Sequence, residues 1–195
     1  ASWRFDEAEA ALGTISSERA ALEGANDIAR AYESAGRLGE AIALYEQVLA
    51  DRTRVLGPDH PDTLSSRNNL AYAYISVGRL ADAIALYEQT DADSVRVLGP
   101  DHPDTFVSRN NLAFVYELVG RFDEAITLRR QTLDDCVRIF GEEHAETLAS
   151  RSYLARAFRA AGRLDEAIPL YEEVLAERMR ILGADHPDTL ISRYN

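Results

Sequence analysis

Residues 62–103 read DTLSSRNNLAYAYISVGRLADAIALYEQTDADSVRVLGPDHP, and this stretch decides the fold. Leu70, Ala71, Tyr74 and Val77 share one stripe at spacings of three and four, which predicts a helix from about Asp62 to Val77. Gly78 should end it, because glycine enters the left-handed conformation without steric cost. A second helix is expected from about Leu80 to Val97, with Ala83, Ile84, Tyr87 and Val95 among its apolar positions. Gly99-Pro100 stops that helix, since proline cannot continue one. Asp101-His102-Pro103-Asp104 then opens the next unit, where proline is tolerated in a first turn and acids are favoured. No period-two alternation marks a strand, so the chain reads as all-α.

The stretch recurs. Gly-Arg stands at Gly36-Arg37, Gly78-Arg79, Gly120-Arg121 and Gly162-Arg163, each 42 residues from the last. Gly57, Gly99, Gly141 and Gly183 keep the same step, followed by His60, His102, His144 and His186, and by Thr63, Thr105, Thr147 and Thr189. A helix pair of this kind cannot bury its apolar face alone, so neighbouring units must stack to complete the core. Ala71 and Ala83 are expected where the two helices of one unit approach most closely. The step implies about ten helices.

The ends depart from the pattern. Arg4-Phe5-Asp6-Glu7-Ala8 matches Arg121-Phe122-Asp123-Glu124-Ala125 but lies only 33 residues before Arg37, so a shorter, divergent first unit is expected. Ser192-Arg193-Tyr194-Asn195 stops where Ser108-Arg109-Asn110-Asn111 continues. The expectation is a fragment of a longer chain, with end-to-end self-association between copies.

Composition narrows the function. The chain has 195 residues, 46% of them hydrophobic, enough for a core. A net charge of −12 argues against a nucleic-acid partner, because phosphate binding needs clustered cations. Every basic residue apart from the histidines is Arg and none is Lys, which is read as the bias of a GC-rich, bacterial genome. One cysteine, Cys136, excludes an internal disulfide. No apolar run approaches the roughly 20 residues of a membrane span, and the N-terminus is not a secretory signal. A cytoplasmic protein with no membrane partner is the default reading.

Several residue types invite chemistry. The four histidines occupy one loop slot per repeat, too far apart to share a metal ion at about 2 Å per ligand, so helix-start packing is expected of them. Cys136 aligns with Arg52, Ser94 and Arg178, which suggests a partly exposed thiol. Acids at helix starts and Arg52, Arg54, Arg96, Arg178 and Arg180 at helix ends fit a solvated pattern that suits the helix dipole. Asp91 stands where other repeats have Leu49, Leu133 and Leu175; local exposure or distortion is the expectation, and a specific partner the alternative. There is no phosphate loop, nucleophile elbow or metalloprotease motif, so no enzyme, cofactor or metal is expected.

The run Leu70-Ala71, Tyr74, Gly78, Leu80, Ala83, Tyr87 resembles the tetratricopeptide repeat. The 42-residue step, Asn68-Asn69-Leu70-Ala71 and Leu98-Gly99-Pro100-Asp101-His102-Pro103 resemble the repeats of kinesin light chains and their bacterial relatives. The resemblance implies a right-handed superhelical solenoid of antiparallel helix pairs. One array is then expected over residues 1–195: a divergent helix at 1–19, repeats at about 20–61, 62–103, 104–145 and 146–187, and the start of another at 188–195.

The first helices have a second face, about 180° from Leu70 and Tyr74. It carries Asn26 and Arg30 in the first repeat, Asn68, Asn69 and Tyr72 in the second, Asn110, Asn111 and Phe114 in the third, and Tyr153, Arg156 and Arg159 in the fourth. The resemblance implies that this face lines a concave groove and that its Asn residues grip a peptide backbone. An amide can both donate and accept, an aromatic can take an apolar side chain and an Arg an acidic one. The other reading is that the Asn residues tie neighbouring first helices together. The chain is expected to be a scaffold that holds a protein or peptide segment, acidic with an apolar anchor. The second reading is a sensor or regulatory arm of a larger signalling ATPase or transcription regulator.

Overall fold

A computed structural model describes the backbone of residues 2–194 and the side chains of residues 17–194. The helices are α1 (Ser2–Ser34), α2 (Leu38–Leu56), α3 (Pro61–Ser76), α4 (Leu80–Leu98), α5 (Pro103–Leu118), α6 (Phe122–Phe140), α7 (Ala145–Ala160), α8 (Leu164–Leu182) and α9 (Pro187–Arg193). Among the described residues there are nine helices and no strand. The sequence implied about ten; the difference lies in α1, whose 33 residues run without a break. The side chains of the Arg4–Ala8 match lie outside the described residues, as does Asn195.

The chain divides into two compact units, with the boundary between Asp93 and Ser94 inside α4. In the first, α2 packs on α1 and α3; in the second, α6 packs on α5 and α7, and α8 on α7 and α9. Ala71 and Ala83, expected at the close approach, are buried, and so are their register equivalents, Ala29 and Ala41 in the first unit and Ala113, Ala125, Ala155 and Ala167 in the second. Ile126, Leu154, Phe158 and Ala167 form a core between α6, α7 and α8.

Both sequence markers now have a physical cause. Gly78 adopts φ +76°, and the Arg79 amide closes a 2.9 Å bond to the Tyr74 carbonyl, which satisfies the end of α3. The Arg79 guanidinium then lies 3.9 Å from the Tyr74 ring centroid and donates to Asp82 at the start of α4. In the loop, Gly99 takes φ +92° and its carbonyl accepts the buried Thr105 hydroxyl at 2.8 Å. Between them His102 is the N-cap of α5, its Nδ1 accepting the Asp104 amide at 3.2 Å. The same cap recurs at His60, His144 and His186.

Four expectations need correction. Val77 is not on the core stripe; it caps α3 and is 41% exposed. Cys136 is not partly exposed but buried at 3%, with Sγ 3.3 Å from Ser150 Oγ, and burial pushes its thiol pKa up. Arg52 is not solvated: it is 6% exposed and donates to Asp62 O and Ser66 Oγ. Asp91 neither distorts α4, which runs unbroken, nor sits in the open; it is partly buried.

Candidate functional site

The buried residues of α3 are Thr63, Leu64, Ser66, Arg67, Leu70, Ala71, Ala73 and Tyr74; α7 buries the equivalent positions and α5 all of them but Phe106, which is partly exposed. The Asn residues lie outside that buried set: Asn68, Asn69, Asn110 and Asn111 are each partly buried.

In the first unit, Asn69 Nδ2 donates to Asn26 Oδ1 at 3.0 Å, linking α3 to α1. For this pair the tying reading describes the geometry. Asn68 is partly buried, while Tyr72, at 53%, and Arg30 are exposed. Nearby, the buried Tyr45 hydroxyl donates to Glu33 Oε2 at 3.2 Å. Burial and that carboxylate together push the Tyr45 pKa upward.

In the second unit, a hollow of about 300 Å³ is lined by Val107, Asn110, Asn111, Phe114, Arg129, Tyr153 and Arg156. Five of the residues singled out from the sequence therefore meet at one place. Arg159 does not line it; its guanidinium lies 5.8 Å from the ring of Tyr171 on α8. A second hollow of about 380 Å³ includes Phe106, Cys136 and Phe140 and shares Val107 and Asn110 with the first. A polar hollow and a more apolar one thus adjoin along α5.

Arg129 is the residue that sequence reasoning missed. It comes from α6, is 3% exposed, and donates from Nη1 to Asn110 Oδ1 at 2.6 Å and from Nε and Nη2 to Glu117 Oε1 at 3.2 and 3.1 Å. Glu117 Oε2 lies 3.4 Å from Arg156 Nε, so one carboxylate serves two guanidinium groups. Both cations also stand over the Tyr153 ring, at 5.0 and 5.3 Å from its centroid. Burial pulls the Arg129 pKa below its ordinary value while Glu117 opposes the shift. The cluster keeps one net positive charge in a chain of −12. A signal was available: position 129 in the 42-residue register belongs to Tyr45, Tyr87 and Tyr171.

Among the described residues no group of His, Cys, Asp and Glu is placed to hold a metal ion. No described helix is long and apolar enough to cross a membrane.

The tetratricopeptide repeat profile matches residues 18–90, 104–176 and 153–195. The chain belongs to the tetratricopeptide repeat family. This tetratricopeptide repeat chain is 35% identical to a solved structure of the Podosopora anserina putative kinesin light chain nearly identical TPR-like repeats, at a TM-score of 0.80; the match covers 89% of this chain and 82% of that one. A point-substituted form of the same repeats superposes at 0.81 with the same identity and coverage. BtubC (BKLC) from P. vanneervenii is 21% identical at a TM-score of 0.73, covering 91% of this chain and 78% of its own, and shares the fold. No curated protein matches the sequence. The repeats are thus of the kinesin light chain kind, and the fold class read from the sequence holds.

Proposed function

We propose that this tetratricopeptide repeat chain is a protein-binding scaffold whose second unit holds an extended, acidic segment with an apolar anchor. The observation that carries the proposal is the convergence of Asn110, Asn111, Phe114, Tyr153 and Arg156 on one hollow. Asn111 offers donor and acceptor to a backbone of any sequence. Arg156 attracts an acidic side chain, and the adjoining hollow beside Phe106, Val107 and Phe140 takes an apolar one. Arg129 fixes Asn110 and Glu117, and so sets the floor on which the segment lies.

Panning a displayed library of random peptides against the chain should select acidic sequences with one large apolar residue. Replacing Asn111 and Arg156 together by Ala should weaken the selected peptides, with any fall in melting temperature limited to the loss of the Arg156–Glu117 pair. Each lost hydrogen bond is expected to cost about 0.5–1.5 kcal/mol of binding, more where the Arg charge takes part. Asn69→Ala is the contrast, because its amide bonds Asn26: stability should fall slightly with affinity unchanged. Peptides without acidic enrichment, or equal affinity for the double variant, would remove the reading.

A further inference from the structure

One slot near the end of each second helix is filled in two ways. Arg52 and Arg178 reach across to the next first helix with a guanidinium. Arg52 Nη1 donates to Asp62 O at 3.0 Å and to Ser66 Oγ at 2.8 Å, and Arg178 Nη1 to Asp188 O at 3.2 Å and to Ser192 Oγ at 2.8 Å. Ser94 and Cys136 are too short for this, and each meets one serine hydroxyl at 3.3 Å.

The hollow of about 380 Å³ beside Cys136 has a counterpart one repeat later. Val107, Asn110, Cys136 and Glu146 line the first. Ala149, Ser152, Arg178 and Asp188, each 42 residues on, line the second, which measures about 260 Å³. The Arg178 guanidinium thus takes up ground that Cys136 leaves open. Aromatic residues wall the open place. Phe106 stands where the other repeats have Leu64, Leu148 and Leu190, and Phe140 where they have Leu56, Leu98 and Leu182. Leu64 and Leu148 are 2% exposed, whereas Phe106 is partly exposed and Phe140 is 39% exposed, with the two ring centroids 6.5 Å apart. Ser94 is also short, but only at Cys136 does a short residue coincide with both aromatics.

The polar atoms around the floor are already met. Cys136 Sγ and Ser150 Oγ bond each other, Thr132 Oγ1 donates to Leu128 O at 2.9 Å, and Asn110 Oδ1 accepts from Arg129. A side chain with a polar tip would bury that tip without a partner, which is costly. Glu146 at the rim repels an acidic side chain, so the acids of a bound segment are left to Arg156 in the adjoining hollow.

We infer that Cys136 is the specificity-determining residue of the anchor subsite. By withholding the guanidinium that Arg52 and Arg178 supply, it opens between α5, α6 and α7 a place for a hydrocarbon side chain of the leucine or phenylalanine kind, and against tyrosine. The inference rests on the groove reading, whose anchor subsite it specifies.

Two probes test it. N-acetylphenylalaninamide is titrated into the chain while the ring resonances of Phe106 and Phe140, assigned through Phe106→Leu and Phe140→Leu, are followed. The expected result is a dose-dependent shift in the wild type that N-acetyltyrosinamide produces more weakly and that Cys136→Arg lacks. A flat titration of the wild type, equal shifts from the two amides, or a shift that persists in Cys136→Arg overturns the inference. The peptides selected by panning are the second probe. Cys136→Arg should bind them about ten- to a hundredfold more weakly than the wild type does. The same peptides with the anchor changed to Ala should bind both forms equally. A fold that is merely disturbed weakens both kinds of peptide, and that outcome overturns the inference. Should Cys136→Arg melt early, Cys136→Arg with Phe140→Leu, the combination already present at Arg52 and Leu56, is held to the same outcomes. Panning without acidic enrichment removes the groove reading and leaves the amide titration to decide this one.

Discussion

At the scale of single residues, Arg129 shows how a break in the register acquires meaning. A guanidinium in a slot of tyrosines is costly unless its donors are met, and Asn110 and Glu117 meet them. Removing one partner alone, as in Arg129→Met, should lower stability by about 3–5 kcal/mol because Glu117 stays buried with weaker compensation. Installing the second repeat's own pair, Arg129→Tyr with Glu117→Ile, should leave the chain as stable as the wild type or more so, since Ile75 and Tyr87 already stand in that combination. Urea unfolding of the single and double variants decides it; a double variant as unstable as the single would mean that the cluster is worth more than its apolar replacement. The register made Arg129 visible as an exception. It did not show that Asn110, a residue chosen for peptide binding, is already engaged by it.

At the scale of the element, the repeat markers prove to be the hydrogen bonds that end one helix and begin the next. The loop Gly99, His102, Thr105 places a left-handed glycine, an N-cap and a buried hydroxyl in seven residues. A histidine cap works through the lone pair of Nδ1, so His102→Ala should cost about 0.5–2 kcal/mol, and His102→Asn should recover most of it. Thermal melts of the two variants measure this; equal loss in both would assign the cost to packing of the ring. A second recurring contact joins each second helix to the next first helix: Arg52 to Ser66, Ser94 to Ser108, Cys136 to Ser150 and Arg178 to Ser192. Aligned as a column of Arg, Ser and Cys, that slot looks like surface. Its serine partners fourteen residues on are what make it interior.

At the scale of the whole molecule, tyrosine is a reporter of both units. Tyr45, Tyr74 and Tyr87 in the first and Tyr171 in the second have phenols pushed upward, in each case first by burial. A group whose pKa is higher folded than unfolded lends stability that is complete below the unfolded value and is lost as pH rises beyond it. For tyrosine that loss begins above about pH 10. These four are expected to ionise late, together with the loss of helical circular dichroism. Ionisation of Tyr45, Tyr74, Tyr87 and Tyr171 near the ordinary value, with helix content intact, would contradict the burial described.

The sequence alone determined the period, the helix pairs, the boundaries of α3 and α4 to within a residue, and the alanines at close approaches. These follow from local rules: apolar spacing, glycine and proline punctuation, and caps that act within a few residues along the chain. It also determined which residues share the second face of the first helices, because that is a matter of angle around one helix. Tertiary structure decided what the polar residues do there. Asn69 bonds Asn26, Asn110 is held by Arg129, and Asn111 shares a hollow with Arg156. Whether a polar side chain is bonded or left to a ligand depends on which partners, distant along the chain, packing brings within about 3 Å, and no periodicity carries that information.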